Sequence, residues 1–378
     1  MKRLDFLSLK MDSFDKDSFT QDALSYSENC MLLYFDFYEM RVEHKPDHIK
    51  RFPPLIKLPL PKNKFILKAF FPIWWLLLFS TFMFVFGYLC LRYKPKVCWT
   101  EITWVGMVFG LAKKFGLCEN FIYCTGDWLA HQKNSSFLSR LSNDYIFVYT
   151  DYIAATHCDL LISYSIKCGQ ARESYWGKKL SSNHYNRYPP PIQICKTAVD
   201  KKATEICFLG QVRDDSGLDK FIPLLESLNK MYGIRLKIIG PSSAYRDRIE
   251  KIIYELNCEH LVDLYGWLPQ NELLNVMQNC FCGINLLVNS TYALYAIPGK
   301  IIQYLQMQIP VLITDNSGVS ETVQKNKLGI IIDLNFNALE DSIEKLFKYQ
   351  SEYRMNIKKY AKQYPNKRIC EYLAMIEN

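Results

Sequence analysis

"YAIPGKIIQYLQMQIPVLIT", residues 295–314, is the stretch whose reading decides the fold. Pro298 and Gly299 break the chain, Lys300 to Met307 carries a helical pattern, and Ile309 to Ile313 is a short apolar run with a proline inside it. A strand that apolar suits a parallel sheet covered on both faces by helices. A cation at a loop-to-helix junction suits an anionic ligand. The competing reading is a solvated lysine in a turn.

Working outward, the second half alternates strands and helices cleanly. "ICFLGQV", a helix over 217–232, "RLKIIG", a helix over 244–257, "VDLYGWL", a helix over 270–279, "CGINLLV", the helix over 299–307, "PVLIT" and "GIIID" follow in order. The first half shows the same alternation, with "CMLLYFDFY" (30–38), "KVCWTEI" (96–102), "NFIYCTGDW" (120–128) and "DLLISYS" (159–165) as strands. Residues 52–61, "FPPLIKLPLP", read as an edge strand or extended loop because of their prolines. This pattern predicts doubly wound sheets. "YNRYPPPIQICKTAVDKKATE" (185–205) interrupts it with three consecutive prolines and a polar tail. The expected organisation is an α/β domain over 1–190, a linker over 191–205 and a second α/β domain over 206–378. The two are expected to face a central cleft, since open sheets bind ligands beyond the carboxyl ends of their strands.

The chain has 378 residues, 49% hydrophobic and 15% aromatic, enough for two packed cores and too apolar for wholesale disorder. Its net charge of +8 favours anionic partners without naming one. The thirteen cysteines show no metal-binding or disulfide spacing, so reduced thiols in the cytoplasm are expected. Met1 to Asp15 mixes charge with short apolar runs, unlike a cleavable signal peptide. The uneven region is 45–93. Lys45, Lys50, Arg51, Lys57, Lys62, Lys64 and Lys68 face one acid, Asp47, and residues 69–91 that follow carry no charge. Three readings compete for the apolar helix placed at 66–93: a bilayer span, an interfacial helix and a buried core helix. A span would divide what reads as one α/β domain. Trp74, Trp75 and Tyr88 near its ends, with the basic run before it, favour attachment to one leaflet on the cytoplasmic face. A nucleic-acid partner is disfavoured, because the basic excess lies beside an apolar helix and not among exposed aromatics.

The landmarks of the second half resemble the nucleotide-sugar domain of GT-B glycosyltransferases of the family 4 type (glycosyl transferases group 1). "FLGQVRDDSGLDKFIPLLESL" (208–228) looks like the strand, glycine loop and helix that open that domain, and "LKIIGPS" (236–242) resembles its second strand. "VDLYGWLPQNELLNVMQNCFCGINLL" (262–287) is similar to the glycine segment that leads to a helix and the next strand. "PGKIIQYLQMQIPVLITDNSGVSETV" (298–323) resembles the P-x-K-x-x-E-Y donor motif and the glycine loop after it. The resemblance covers about 206–333 well and the first half in outline. It implies two Rossmann-like domains and a donor site drawn from Gly210, Arg213, Gly240, Gly266, Leu268, Pro298, Lys300, Gln303, Ser317, Gly318 and Glu321. It implies a nucleotide sugar as substrate, with no resident cofactor and no metal. Lys300 then stands near the donor diphosphate, where the free N–H groups and positive dipole end of a helix favour anions.

Departures from the family matter. Its usual pair of glutamates is replaced by Tyr295 and Gln303, and a lysine often found in the first loop by Ser216. Arg213 can still grip phosphate through its planar fork. Glu321 is either a carboxylate that orients sugar or ribose, or an ordinary acid at a helix start. In the first half, Asp127 of "YCTGDW" is the candidate general base toward an acceptor hydroxyl, with His131 competing and Glu101 a weaker third. A membrane-surface helix on this acceptor-side domain implies a lipid-linked or polysaccharide acceptor, as in surface-glycan assembly. Two alternatives stand beside a glycosyltransferase: a noncatalytic membrane-surface nucleotide-binding homologue, and a nucleotide-sugar epimerase, which would have no use for the apolar helix.

Overall fold

The computed structural model describes residues 3–11, 16–36, 39–44, 64–126, 128, 145–180, 184–186, 193–195, 203–288, 294–295, 297–315, 318–333, 335, 338–363 and 367–377. They form two compact units, Met1–Arg187 with Lys367–Asn378, and Tyr188–Asn366.

The first unit is built on a seven-stranded sheet. Its elements in chain order are β1 (Phe6–Met11), α1 (Lys16–Tyr26), β2 (Cys30–Asp36), β3 (Glu39–His44), α2 (Lys64–Tyr93), β4 (Val97–Thr100), α3 (Thr103–Lys114), β5 (Asn120–Thr125), α4 (Val148–His157), β6 (Leu160–Ser163), α5 (Ile166–Trp176) and β7 (His184–Asn186). The strand order is β3-β2-β1-β4-β5-β6-β7, parallel except for β3, which pairs antiparallel with β2. β3 is not foreseen from the sequence, where the prolines of 52–61 drew the edge-strand reading. That segment lies outside the described residues. α2, α3 and α4 cover one face through Phe86, Phe109 and Ala154. α1 covers the other through Phe19 and Ala23. Strands buried on both faces need apolar residues at every position, which is why Met31 to Phe35 reads as an unbroken run.

The second unit carries β8 (Glu205–Leu209), α6 (Leu218–Phe221), α7 (Leu225–Tyr232), β9 (Arg235–Ile239), α8 (Ala244–Glu255), β10 (Val262–Tyr265), α9 (Gln270–Met277), β11 (Cys280–Asn285), α10 (Gly299–Gln306), β12 (Val311–Thr314), α11 (Ser320–Lys325), β13 (Gly329–Ile332), α12 (Leu339–Lys348) and α13 (Gln350–Gln363). Its six parallel strands run β10-β9-β8-β11-β12-β13. The expected single helix over 217–232 is two helices joined by a tight 3₁₀ turn, Ile222–Leu224. Pro223 has no N–H to continue the α-helical ladder.

One domain boundary requires correction. The last helix, α14 (Ile369–Glu377), was expected within the second domain and belongs to the first unit. The Ile369 N–H donates to Asp22, Arg368 pairs with the same carboxylate, and Tyr372 meets the Trp99 ring edge-on at 5.5 Å. An amphipathic helix declares in sequence that it has an apolar face, but not which sheet that face will meet.

The apolar helix proves two-sided over its described half. Leu78, Phe82, Phe86 and Leu89 enter the core, with Phe82 on Phe35 and Phe86 on Phe109. Leu77, Phe84, Tyr88 and Leu91 remain exposed, Phe84 to 79%. Among the described residues, no helix is long and apolar enough to cross a membrane. All thirteen cysteines are free thiols.

Candidate functional site

In the second unit the connections leave β8 and β11 in opposite directions, so the carboxyl ends of these two neighbours form the topological switch point, where open α/β sheets take ligands. Gly210 follows β8 with φ +110, a conformation that side-chain-bearing residues rarely adopt. Gly240, just after β9, packs so closely on it that a Cβ there would stand 2.1 Å from the Gly210 carbonyl oxygen. Both glycines are therefore dictated by the backbone crossing that shapes the first loop.

Lys300 reaches this crossing from the first turn of α10. A Cβ on Gly210 would lie 3.7 Å from its Nζ, and the ammonium sits 4.4 Å from the centre of the Phe208 ring. The residue as a whole is half-buried, but the ammonium end is enclosed. Burial pushes its pKa down to about 8, Asp215 partly opposes this, and Arg213 adds to it. The nearby Arg213 donates to Asp215 at 2.9 Å, and Oδ1 of that carboxylate is buried with no hydrogen-bond partner among the described residues. Pro298 begins α10 with no side-chain cap, so the helix start offers backbone donors beside the cation. The helix itself is pinned by Tyr304. Its hydroxyl accepts the Leu209 N–H at 2.7 Å and donates toward the Cys207 carbonyl at 3.2 Å.

Further polar atoms gather at the same strand ends. Ser216 Oγ, both amide atoms of Asn285 and Ser320 Oγ are buried with no hydrogen-bond partner among the described residues. Buried polar groups are nearly always paired, so unpartnered atoms after β8 and at the end of β11 are candidate ligand contacts. Asn285 ends β11, and the Val288 N–H donates to the Asp215 carbonyl at 2.9 Å, tying the loops after β8 and β11 together.

Residues 192–364 match the family model described as glycosyl transferases group 1. Over this span, most of the second unit, the chain matches the group 1 glycosyltransferases. Solved structures place the whole chain of this glycosyltransferase in the GT-B fold. Sucrose-phosphate synthase from Thermosynechococcus elongatus aligns with a TM-score of 0.65 at 14% identity, over 98% of this chain and 96% of that one. Anabaena HepE in complex with UDP and glucose aligns at 0.61 and 12% identity, over 99% and 98%. WaaG, a glycosyltransferase involved in lipopolysaccharide biosynthesis, aligns at 0.60 and 14% identity, over 94% and 95%. At such identities the likeness establishes the fold alone. A comparison with curated proteins returns no match.

Of the residues expected to hold the donor, the structure of this glycosyltransferase brings Gly210, Arg213, Gly240, Pro298 and Lys300 together. Gln303 lies one turn further along α10, half-buried. Gly266 is exposed after β10, and Leu268 packs on the apolar cluster beneath α9 and α10. Gly318 is buried and Glu321 exposed at the start of α11, while Ser317 lies outside the described residues. Phe208, Asp215 and Asn285 were passed over. Asp215 had a signal, an acid two residues from Arg213. Asn285 reads as one polar residue in an apolar strand and gives none.

In the first unit the expected bases Asp127 and His131 lie outside the described residues. Glu101 follows β4 at that sheet's own switch point. It accepts the Tyr164 hydroxyl at 2.8 Å and pairs with buried Lys10 at 3.4 Å, so one of its oxygens is already engaged twice.

Proposed function

We propose that this glycosyltransferase moves a sugar from a nucleotide-sugar donor, held by the second unit, to a lipid-linked or polysaccharide acceptor at the cytoplasmic surface of a membrane. The observation that carries the reading is the enclosed Lys300 ammonium above Gly210, at the switch point and at an uncapped helix start. A fixed cation with backbone donors suits a nucleoside diphosphate, and its stabilisation grows as the sugar departs and the diphosphate gains charge. Arg213 offers a second cation, and Gln303 and Glu321 lie on α10 and α11 to meet hydroxyls of ribose or sugar. The nucleotide sugar is a substrate here, and Asp127 takes the proton from the acceptor hydroxyl. UDP and UDP-glucose bound to the fold relative HepE support the donor class. The test is calorimetry of the purified protein against a panel of nucleoside diphosphates, followed by hydrolysis and transfer assays with the matching nucleotide sugars. Tight diphosphate binding with sugar transfer is the expected result. Binding without hydrolysis or transfer would return the protein to a noncatalytic nucleotide-binding role.

The membrane part of the reading is supported by the exposed stripe of Leu77, Phe84, Tyr88 and Leu91 on α2, with Arg92 exposed at its end. Apolar side chains backed by cations favour an anionic bilayer surface. Phe84→Ser with Leu91→Ser should release the protein from anionic vesicles in a flotation assay and leave diphosphate affinity intact. Leu78, one residue from Leu77 in the same helix, is buried, so changing it would disturb the core. Unchanged flotation of the double variant would remove the stripe from the membrane contact.

A further inference from the structure

Asp215, in the loop after β8, acts on both cations that this site offers a diphosphate. Its Oδ2 holds the Arg213 guanidinium at 2.9 Å, and its field opposes the loss of charge that burial imposes on Lys300. The backbone keeps the carboxylate in place. The Asp215 carbonyl accepts the Val288 N–H at 2.9 Å, and the Ser216 N–H closes a turn on the Arg213 carbonyl at 3.0 Å. Stability does not account for this acid. The Arg213 side chain is 57% exposed, and an ion pair that open to solvent contributes little. Oδ1 is buried with no hydrogen-bond partner among the described residues, which costs free energy and supplies none. A carboxylate also has the wrong sign for a site that takes an anion. What it can change is the balance between one anion and another.

We infer that Asp215 is a resident counter-anion that makes the site favour the incoming nucleotide sugar over the nucleoside diphosphate left after transfer. The inference rests on the reading of Lys300 and the loop after Gly210 as the diphosphate site. The two ligands differ in charge. A diphosphate esterified at both ends carries about two negative charges at neutral pH. The freed one carries about three, because its terminal phosphate has a second pKa of about 6. Asp215 repels the third charge as it does the first two. Within a Debye length, about 10 Å, a fixed charge on a partly buried group shifts affinity roughly 3–5-fold for each unit of ligand charge. Product is disfavoured against donor by about that factor.

The experiment is calorimetry on the full chain at about pH 7, below the Lys300 pKa, so that this lysine stays mostly charged. UDP and UDP-glucose form one pair of probes, GDP and GDP-mannose the other. In Asp215→Asn the nucleotide sugar should bind ~10-fold tighter and the nucleoside diphosphate ~30–50-fold tighter, moving their ratio ~3–5-fold toward product. Asp215→Ala should behave alike, which rules out a new hydrogen bond from the asparagine amide as the cause. Asp214→Asn, next in the chain but exposed to solvent, should change either affinity less than ~2-fold. An unchanged ratio, weaker diphosphate binding in the Asp215 variants, or an equal effect of Asp214→Asn would each overturn the inference. A wild-type protein that binds neither pair of probes would defeat the diphosphate reading itself, and that result is visible without any Asp215 variant.

Discussion

Lys300→Ala should weaken nucleoside-diphosphate binding by ~1.5–3 kcal/mol, the scale of a charge-assisted hydrogen bond between enclosed partners. Turnover should fall with it, since in the proposed role the ammonium's attraction grows as the diphosphate leaves. Binding of the bare nucleoside is expected to change little. The pH dependence follows from the Lys300 pKa, pushed by burial to about 8. The sign runs in opposite directions for folding and for binding. Without ligand the folded protein holds fewer protons than the unfolded chain between about 8 and the ordinary lysine range, so stability rises with pH across that window. A bound diphosphate favours the charged form, so affinity is highest below that pKa and falls as pH rises through it, by at most about tenfold per unit. In Lys300→Ala this slope between pH 7.5 and 9.5 should vanish. Calorimetry with diphosphate, monophosphate and nucleoside on both proteins checks all three statements, and equal diphosphate affinity would remove Lys300 from the diphosphate contact.

Asp127→Asn keeps the side chain's shape and removes the proton acceptor. Turnover is expected to fall ~10²-fold or more, while donor affinity holds, because the role proposed for the carboxylate is on the acceptor hydroxyl and not on the nucleotide. Steady-state kinetics at saturating donor separates the two effects. Full activity in Asp127→Asn with an inactive His131→Ala would transfer the role to His131.

The donor side of the site was legible because its requirements are local. A glycine where the backbone crosses, a cation where a helix starts and an apolar run where a strand is buried leave their marks within a few residues of one another. Gly210, Gly240 and Lys300 all came from the resemblance of their short motifs, and the structure sets Gly210 against both Gly240 and Lys300. Asn285 and Phe208 escaped because their significance depends on which strands lie side by side. The sheet order β8-β11 is set by a crossover that no short window contains. Antiparallel β3 was missed for a related reason. "EMRVEH" has weak alternation of its own, and its pairing with β2 supplies what its composition lacks. The 3₁₀ turn at Pro223 shows the reverse case, where a single residue overrode an otherwise continuous helical pattern.

The placement of α14 orders events in time. The second unit is one uninterrupted run of chain, whereas the first is completed only by a helix made after the second has been entirely synthesised. As the polypeptide emerges from the ribosome, Tyr188–Asn366 can therefore close its core early. The earlier-made sheet must wait, with the apolar surface around Trp99 uncovered until Ile369, Tyr372 and Leu373 arrive. A chain cut short after residue 366 would keep its later half intact and leave its earlier half exposed to aggregation.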